Sequence, residues 1–508
     1  MDSLVFLCAR KVVSDHPGAR RALPLIPAEL YPALFRAAFL DGRTLALRDL
    51  VAAWPYPVLS LQRLLAHLEH HHRKQHCQGF PRGVCVQTVI IAIVAQLQQA
   101  LEEPWHDTSE RRCCLRLVDM TDLQDYVDSC GPEGTSLLSN TVALAKACLE
   151  VSKHQRQHQK RGSKRHKGPG GPSAAPPPLS VEVRADLFVN CTCFGLLREA
   201  LRSGSSLRLR CRDLRAEELS AGGTVALLEC LEPSGVRRVD LRFNNLGLLG
   251  ISTLLPHLSK FPDLQSLWLP YSNVDVRRLM PGVDSSLQQV AAQLGRLPKL
   301  KELNLGSSRL SGNLRQLLSE LQSPLESLEL AFCSLLPSDL TFLHQSIHAP
   351  ALKKLDLSGQ DFTLDNLLQP LQQLLEVTSA SLLHLDLMEC HLTDTHLEAL
   401  LPALCHCSRL RCLGLFGNFL TTPALRNLVR RTVTLLDLHL VIYPYPLDCY
   451  LGDRAQPPSG WHLEDAVDRE CFAAVAAELQ HLLVSSGRAE AVWSTSLCQR
   501  GALDYFSL

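Results

Sequence analysis

The chain has 508 residues, 46% of them hydrophobic and 20% charged, with 51 basic residues against 51 acidic ones. That apolar content supports a packed core and excludes a wholly disordered chain. The 19 cysteines are spread from Cys8 to Cys498 with no CxxC among them, which excludes a small disulfide framework and points to reduced core thiols.

The chain opens Met-Asp-Ser without a basic n-region, and Arg10 and Lys11 break the apolar run that follows, so no secretory signal and an intracellular protein are expected. Residues 1–110 are helical in pattern, punctuated by Pro24, Pro27, Pro32, Pro55 and Pro57, and are expected to form a helical N-terminal cap. Within them, His67/His71 and His72/His76 stand four apart, with His70 and Cys77 close by. On a helix this spacing can grip zinc or copper, although a solvated polar helix end accounts for it equally well. Val84 to Leu97 is the most apolar stretch. Interrupted by Gln87 and Gln96, it falls short of the roughly 20 residues that a membrane-spanning helix needs, and predicts a buried helix with no membrane partner.

Leu115-Val118-Met120-Leu123 predicts a first strand-bearing turn over 111–152. Next comes a run of seven cations, Lys153, Arg156, Lys160, Arg161, Lys164, Arg165 and Lys167, and setting it aside leaves 44 basic against 51 acidic residues, a remainder of −7. It continues into GPGGPSAAPPP, which cannot bury enough apolar surface to fold, so 153–180 is expected to be a disordered loop. KRGSKRHK is dense enough in charge for nuclear import or nucleic-acid binding, but no aromatic residue is interleaved for base stacking. Nucleic acid is therefore not the expected partner.

Residues 181–445 carry the strongest signal. After strand-like VEVRADLFVN and LRLRCRDL, one spacing recurs: apolar, two residues, apolar, one, apolar, two, then Asn, Cys or a small polar residue, one, apolar. The copies start at Val236, Leu264, Leu300, Leu325, Leu352, Leu382 and Leu410, with a degenerate one at Leu435; successive starts are 28, 36, 25, 27, 30, 28 and 25 residues apart. This is the leucine-rich-repeat period. In each copy, the apolar residues flanking one polar position form a short strand facing the core, and the Asn or Cys serves the backbone where the chain turns. Amphipathic stretches such as NLRQLLSEL and LLQPLQQLL supply one helix per repeat. The expected fold is an α/β leucine-rich-repeat solenoid, a curved horseshoe with a parallel sheet on its concave face and helices outside. Residues 446–508, with a helix from about Leu463 to Val484, are its C-terminal cap.

The usual phosphate-loop, nucleophile-elbow, metalloprotease and EF-hand signatures are all missing, so neither an enzyme nor a cofactor is expected. Cys405, Cys407 and Cys412 are close enough in sequence to suggest a metal, but their places in a repeat make them core thiols.

LPLIPAELYPALFRAAF (Leu23 to Phe39), WPYP (Trp54 to Pro57), RRVDLRFNNLGL, SPLESLELAFC, LKKLDLSG and the terminal DYFSL together resemble the PRAME family of leucine-rich-repeat proteins. The resemblance implies a cytoplasmic, non-enzymatic regulator that dampens Toll-like-receptor signalling to NF-κB by binding the IκB kinase β subunit and disturbing assembly of the kinase core complex. The alternative it implies is a substrate receptor of an elongin–cullin ubiquitin ligase. Ser3-Leu4 with Cys8 and Val12 fits an elongin-binding box, and Ile26, Pro27 and Leu30 resemble the cullin-selecting box that follows it. The competing reading is a cap helix that buries Leu4, Leu7 and Cys8.

The partner is expected on the concave face, at the positions beside the core leucines: Asp240, Arg242, Trp268, Glu302, Asn304, Ser327, Glu329, Lys354, Asp356, His384, Asp386 and Gly414. Trp268 is the leading anchor, and Glu329, Asp356 and Asp386 are expected to form an exposed acidic stripe.

Overall fold

The computed structural model describes residues 3–65, 82–102, 114–123, 137–165, 180–276, 283–363, 366–451 and 466–496. The chain divides into two compact units, Met1–Val239 and Asp240–Leu508. The histidine cluster at 67–76 with Cys77, and the basic run beyond Arg165, lie outside the described residues.

In the first unit, helix Leu4–Ser14 begins where the Ser3 hydroxyl accepts a hydrogen bond from the Phe6 amide at 3.2 Å, which satisfies one of the helix's orphan donors. The helix packs against Tyr31–Leu40 through Phe6, Ala9 and Val13. Phe35 is fully buried, with its ring edge-on to Trp54 at 5.7 Å, so the WPYP segment anchors the helical cap. The cap also contains a strand. β1 (Val58–Ser60) pairs in parallel with β2 (Leu117–Met120), so the sheet starts inside the region expected to be helical, one turn earlier than the repeat spacing reveals. β3 (Val181–Val189) and β4 (Leu207–Ala216) continue it, with every second residue of β3 buried.

The apolar stretch near residue 90 is a 21-residue helix, Arg82–Glu102, longer than the sequence suggested and, by length and composition, able to cross a membrane. One face, with Cys85, Val89, Ile93 and Leu97, is buried, and the helix packs on Thr44–Ala52 and Leu137–Arg165. Helix Leu137–Arg165 also corrects the predicted loop. The first part of the basic run, from Lys153 to Arg165, continues this helix rather than forming a loop.

In the second unit, each turn of the repeat gives one strand of three residues: β5 (Arg238–Asp240, at the division), β6 (Ser266–Trp268), β7 (Glu302–Asn304), β8 (Ser327–Glu329), β9 (Lys354–Asp356), β10 (His384–Asp386), β11 (Cys412–Gly414) and β12 (Leu440–Ile442). Neighbouring strands pair in parallel, in chain order. β13 (Val492–Ser494) lies in the expected C-terminal cap yet pairs with β12, so the sheet runs on into that cap. The repeat leucines form the core; Leu264, Leu267 and Leu269, for example, are 1%, 0% and 3% exposed. Each such burial contributes roughly 1.5–3 kcal/mol.

The turn after each strand has a fixed backbone form. The residue before the Asn/Cys position has a left-handed φ in all seven copies: Phe243 (58°), Tyr271 (57°), Ser307 (61°), Phe332 (56°), Gly359 (70°), Glu389 (52°) and Gly417 (72°). Only Gly359 and Gly417 adopt it without steric cost. Gly359 is needed for a second reason, because a Cβ there would run into the Phe332 ring.

Candidate protein-interaction surface

In five of the seven copies the side chain at the Asn/Cys position donates to a backbone carbonyl; in the other two it is Ser272 or Ser308, whose hydroxyls are buried without a hydrogen-bond partner among the described residues. Asn244 Nδ2 donates to the Leu241 carbonyl at 2.9 Å, and the Cys333 and Cys390 thiols donate to the carbonyls of Leu305 and Leu357 at 3.2 and 3.3 Å. Gln360 does both jobs, donating to Leu330 O at 3.1 Å and accepting from Leu335 N at 2.8 Å. Asn418 makes four bonds: it donates to Leu387 O and Leu415 O at 2.7 and 2.8 Å, and accepts from Cys390 N and Leu392 N at 3.1 and 2.9 Å. Burial pushes the Cys333 and Cys390 thiols up to about 12, so both stay protonated near neutrality. Neither is expected to react with an alkylating agent in the native protein, and replacing either by Leu should cost about 1–3 kcal/mol by overpacking. Rapid labelling of the folded chain would contradict this assignment. Cys407 and Cys412 are likewise buried, whereas Cys405 is only half-buried and donates to Arg431 O at 3.2 Å.

The acidic stripe is corrected by the structure. Glu329 is 9% exposed, Asp356 7% and Asp386 0%, so none of them faces a partner. The last residue of a strand is used to end it. Asp240, Asn304 and Asp356 each accept a hydrogen bond from the amide two residues on, at 3.1, 2.9 and 2.9 Å, which turns the chain out of the sheet. Glu329 is held by Lys354 Nζ at 2.8 Å and by Asn304 Nδ2 at 2.9 Å. Asp386 lies 2.7 Å from His384 Nε2. Burial lowers the His384 pKa, but the charge of Asp386 outweighs it, and the imidazole is pushed up to about 9. Ser327 and Gly414, also expected to face solvent, are buried as well.

Four of the expected positions remain partly open: Arg242, Trp268, Glu302 and Lys354. Two of them, Arg242 and Lys354, meet at Trp268. The Arg242 guanidinium lies 5.3 Å from its ring centre and the Lys354 ammonium 5.9 Å, so the indole has two cations within reach of its ring. Arg242 and Lys354 also bind Asp240 and Glu329, which fixes their positions around the ring.

Sequence reasoning missed the aromatic residues beside this cluster. Phe243 and Tyr271, 50% and 52% exposed, stack with centroids 4.7 Å apart, and Phe332 is 45% exposed above Gly359. All three occupy the left-handed turn position, where a bulky side chain is disfavoured. The available signal was an aromatic residue before the Asn/Cys position in copies where other repeats carry glycine.

At the other end of the chain, the structure places the box residues on the outside. Leu4 is 77% exposed, Val12 37% and Leu30 40%; Cys8 and Pro27 are also exposed, and Ile26 is half-buried. Leu7 is 49% exposed. The reading in which Leu4, Leu7 and Cys8 are buried under the cap is therefore overturned, because Phe6, Ala9 and Val13 form the buried face of that helix.

Parallel three-residue strands, each with its turn ladder and helix, define a leucine-rich-repeat solenoid built to present side chains to another protein. The PRAME C-terminal domain matches residues 202–507 and the PRAME N-terminal domain residues 2–80, and the chain belongs to the PRAME family. It is similar to "Leucine-rich repeat-containing protein 14" from Xenopus laevis, at 52% identity, and from Homo sapiens, at 47%, each match covering 100% of both chains. Among solved structures, an internalin from Listeria monocytogenes matches 52% of this chain and 75% of its own, at 15% identity and a TM-score of 0.28.

Proposed function

We propose that the protein is a cytoplasmic, non-enzymatic regulator that holds a protein partner on the strand-side surface of its Asp240–Leu508 unit. The partner in this reading is the IκB kinase β subunit, and the outcome is a damped Toll-like-receptor signal to NF-κB. The observation that carries it is the cluster of Arg242, Trp268 and Lys354 beside exposed Phe243, Tyr271 and Phe332. Large aromatics next to Arg are the composition of a binding hot spot. The test is binding of the purified full chain to the kinase subunit, comparing wild type with a Trp268→Ala, Phe243→Ala, Tyr271→Ala variant and with a control, Leu249→Ala, at a helical residue that is itself 77% exposed. At least about a tenfold loss is expected for the triple variant and none for the control, with melting temperatures unchanged. Unchanged binding by a folded triple variant would place the contact elsewhere.

A second reading has its own support. The exposed row Leu4, Cys8 and Val12 suits a helix laid into a partner's groove, as a substrate receptor recruiting elongin and, through Ile26, Pro27 and Leu30, a cullin requires. Leu4→Asp should then leave the melting temperature within about 1 °C of wild type and abolish elongin capture, because the charge enters water rather than the core. Phe6→Asp, which buries a charge, should instead lower it sharply. If wild type captures no elongin, this reading fails. Kinase inhibition that survives Leu4→Asp would show that inhibition does not need degradation.

A further inference from the structure

Helix Arg82–Glu102 and helix Leu137–Arg165 pack side by side in the first unit, and their contact carries a group of side chains that the interaction surface does not use. Glu102 is the last residue of the first helix; His154 and His158 are one turn apart on the second. Glu102 Oε1 lies 3.2 Å from His154 Nε2, and the two imidazole centres are 5.3 Å apart. One donor atom from each of the three residues falls within 4.8 Å of the others. One turn earlier, Gln98 Nε2 donates to Glu150 Oε1 at 3.2 Å, which holds the two helices in the register that brings Glu102 opposite His154.

We propose that Glu102, His154 and His158 form a binding site for a divalent transition-metal ion of the zinc class, with water completing a four-coordinate shell. The donor set selects the metal. Two imidazoles and one carboxylate suit zinc and its neighbours, whereas calcium and magnesium need shells of oxygen. Two histidines four apart on a helix project from one face, and a ligand from a second helix converts that pair into a clamp. Zinc bonds of about 2.0–2.2 Å put tetrahedral donors roughly 3.3–3.5 Å apart, so the present spacing closes by side-chain rotation alone. Access is open, since Glu102 is exposed and both histidines are half-buried. The cations Lys153 and Arg156 are about 100° and 200° round the helix from His154, so they point away from the ligands while lowering the affinity through their charge. A bound ion would staple the two helices, a role separate from the partner surface of the second unit.

The test uses the full chain, stripped with a chelator, with Zn²⁺ as probe and a chromophoric zinc indicator as competitor. Histidines 67–76 form a separate potential zinc binder, so the comparison is made in a background carrying His70→Ala, His71→Ala and His72→Ala. In that background one equivalent of Zn²⁺ should remain bound and should raise the melting temperature. Adding His158→Gln should weaken this binding by about 30-fold or more and remove the thermal shift, and Glu102→Gln should weaken it by about tenfold or more. The metal-free melting temperatures should be the same for all three, because the substituted side chains are solvent-accessible. If the background variant and its His158→Gln derivative bind Zn²⁺ alike, the histidine pair is not a site. If Glu102→Gln changes nothing, the inter-helix clamp is wrong.

Discussion

Replacing Asn418 by Ala should destabilise the Asp240–Leu508 unit by about 3–5 kcal/mol, as measured by urea unfolding of the full chain followed through that unit. The side chain is 3% exposed and makes four hydrogen bonds to backbone groups of its own turn and the one before. Alanine has nothing to offer those two amides and two carbonyls, and a buried unpaired backbone group costs about 1–3 kcal/mol. Asn418→Cys should cost less, because a thiol donates to a carbonyl at the equivalent positions Cys333 and Cys390. A loss below about 1 kcal/mol for the alanine variant would show that water reaches the turn.

The second large effect is a pH dependence set by His384 and Asp386. The folded-state pKa of His384 is pushed up to about 9, above the roughly 6.5 of an unfolded histidine. The pair therefore stabilises the fold fully below about pH 6.5, and the contribution is lost as pH rises through about 9. Its full size is on the order of 3 kcal/mol. Asp386→Asn removes the charge that holds the proton, so the stability gap between wild type and variant should be large at about pH 6 and shrink by about pH 10. A gap that is the same at both ends would mean that His384 is neutral in the folded protein.

The core leucines were legible from spacing alone, since a repeat that places apolar residues at the same offsets seven times leaves few alternatives to a stacked strand. The faces of those strands were not. Asp240 and Asp356 stand next to core leucines in LDL-like patterns, and nothing local distinguishes an exposed carboxylate from one turned back to cap its own strand end. β1 was hidden for a related reason: Val58–Ser60 is too short to show a period, and its partner lies 59 residues further on. Trp268 was legible as an aromatic on the sheet; the stacked Phe243 and Tyr271 were not, because their role depends on a left-handed backbone.

The sequential pairing of strands also governs how the chain is made. From β6 onward to β12 each strand finds its partner in the turn synthesised immediately before it, so the search for contacts stays short and the chain entropy lost at each closure is small. Each completed turn leaves an open edge that templates the next, and order can spread along the nascent chain while later turns are still being synthesised. β13, reached only after helix Arg469–Ser485 has emerged, joins later than β12, so the growing edge at β12 stays open until Val492–Ser494 has been synthesised.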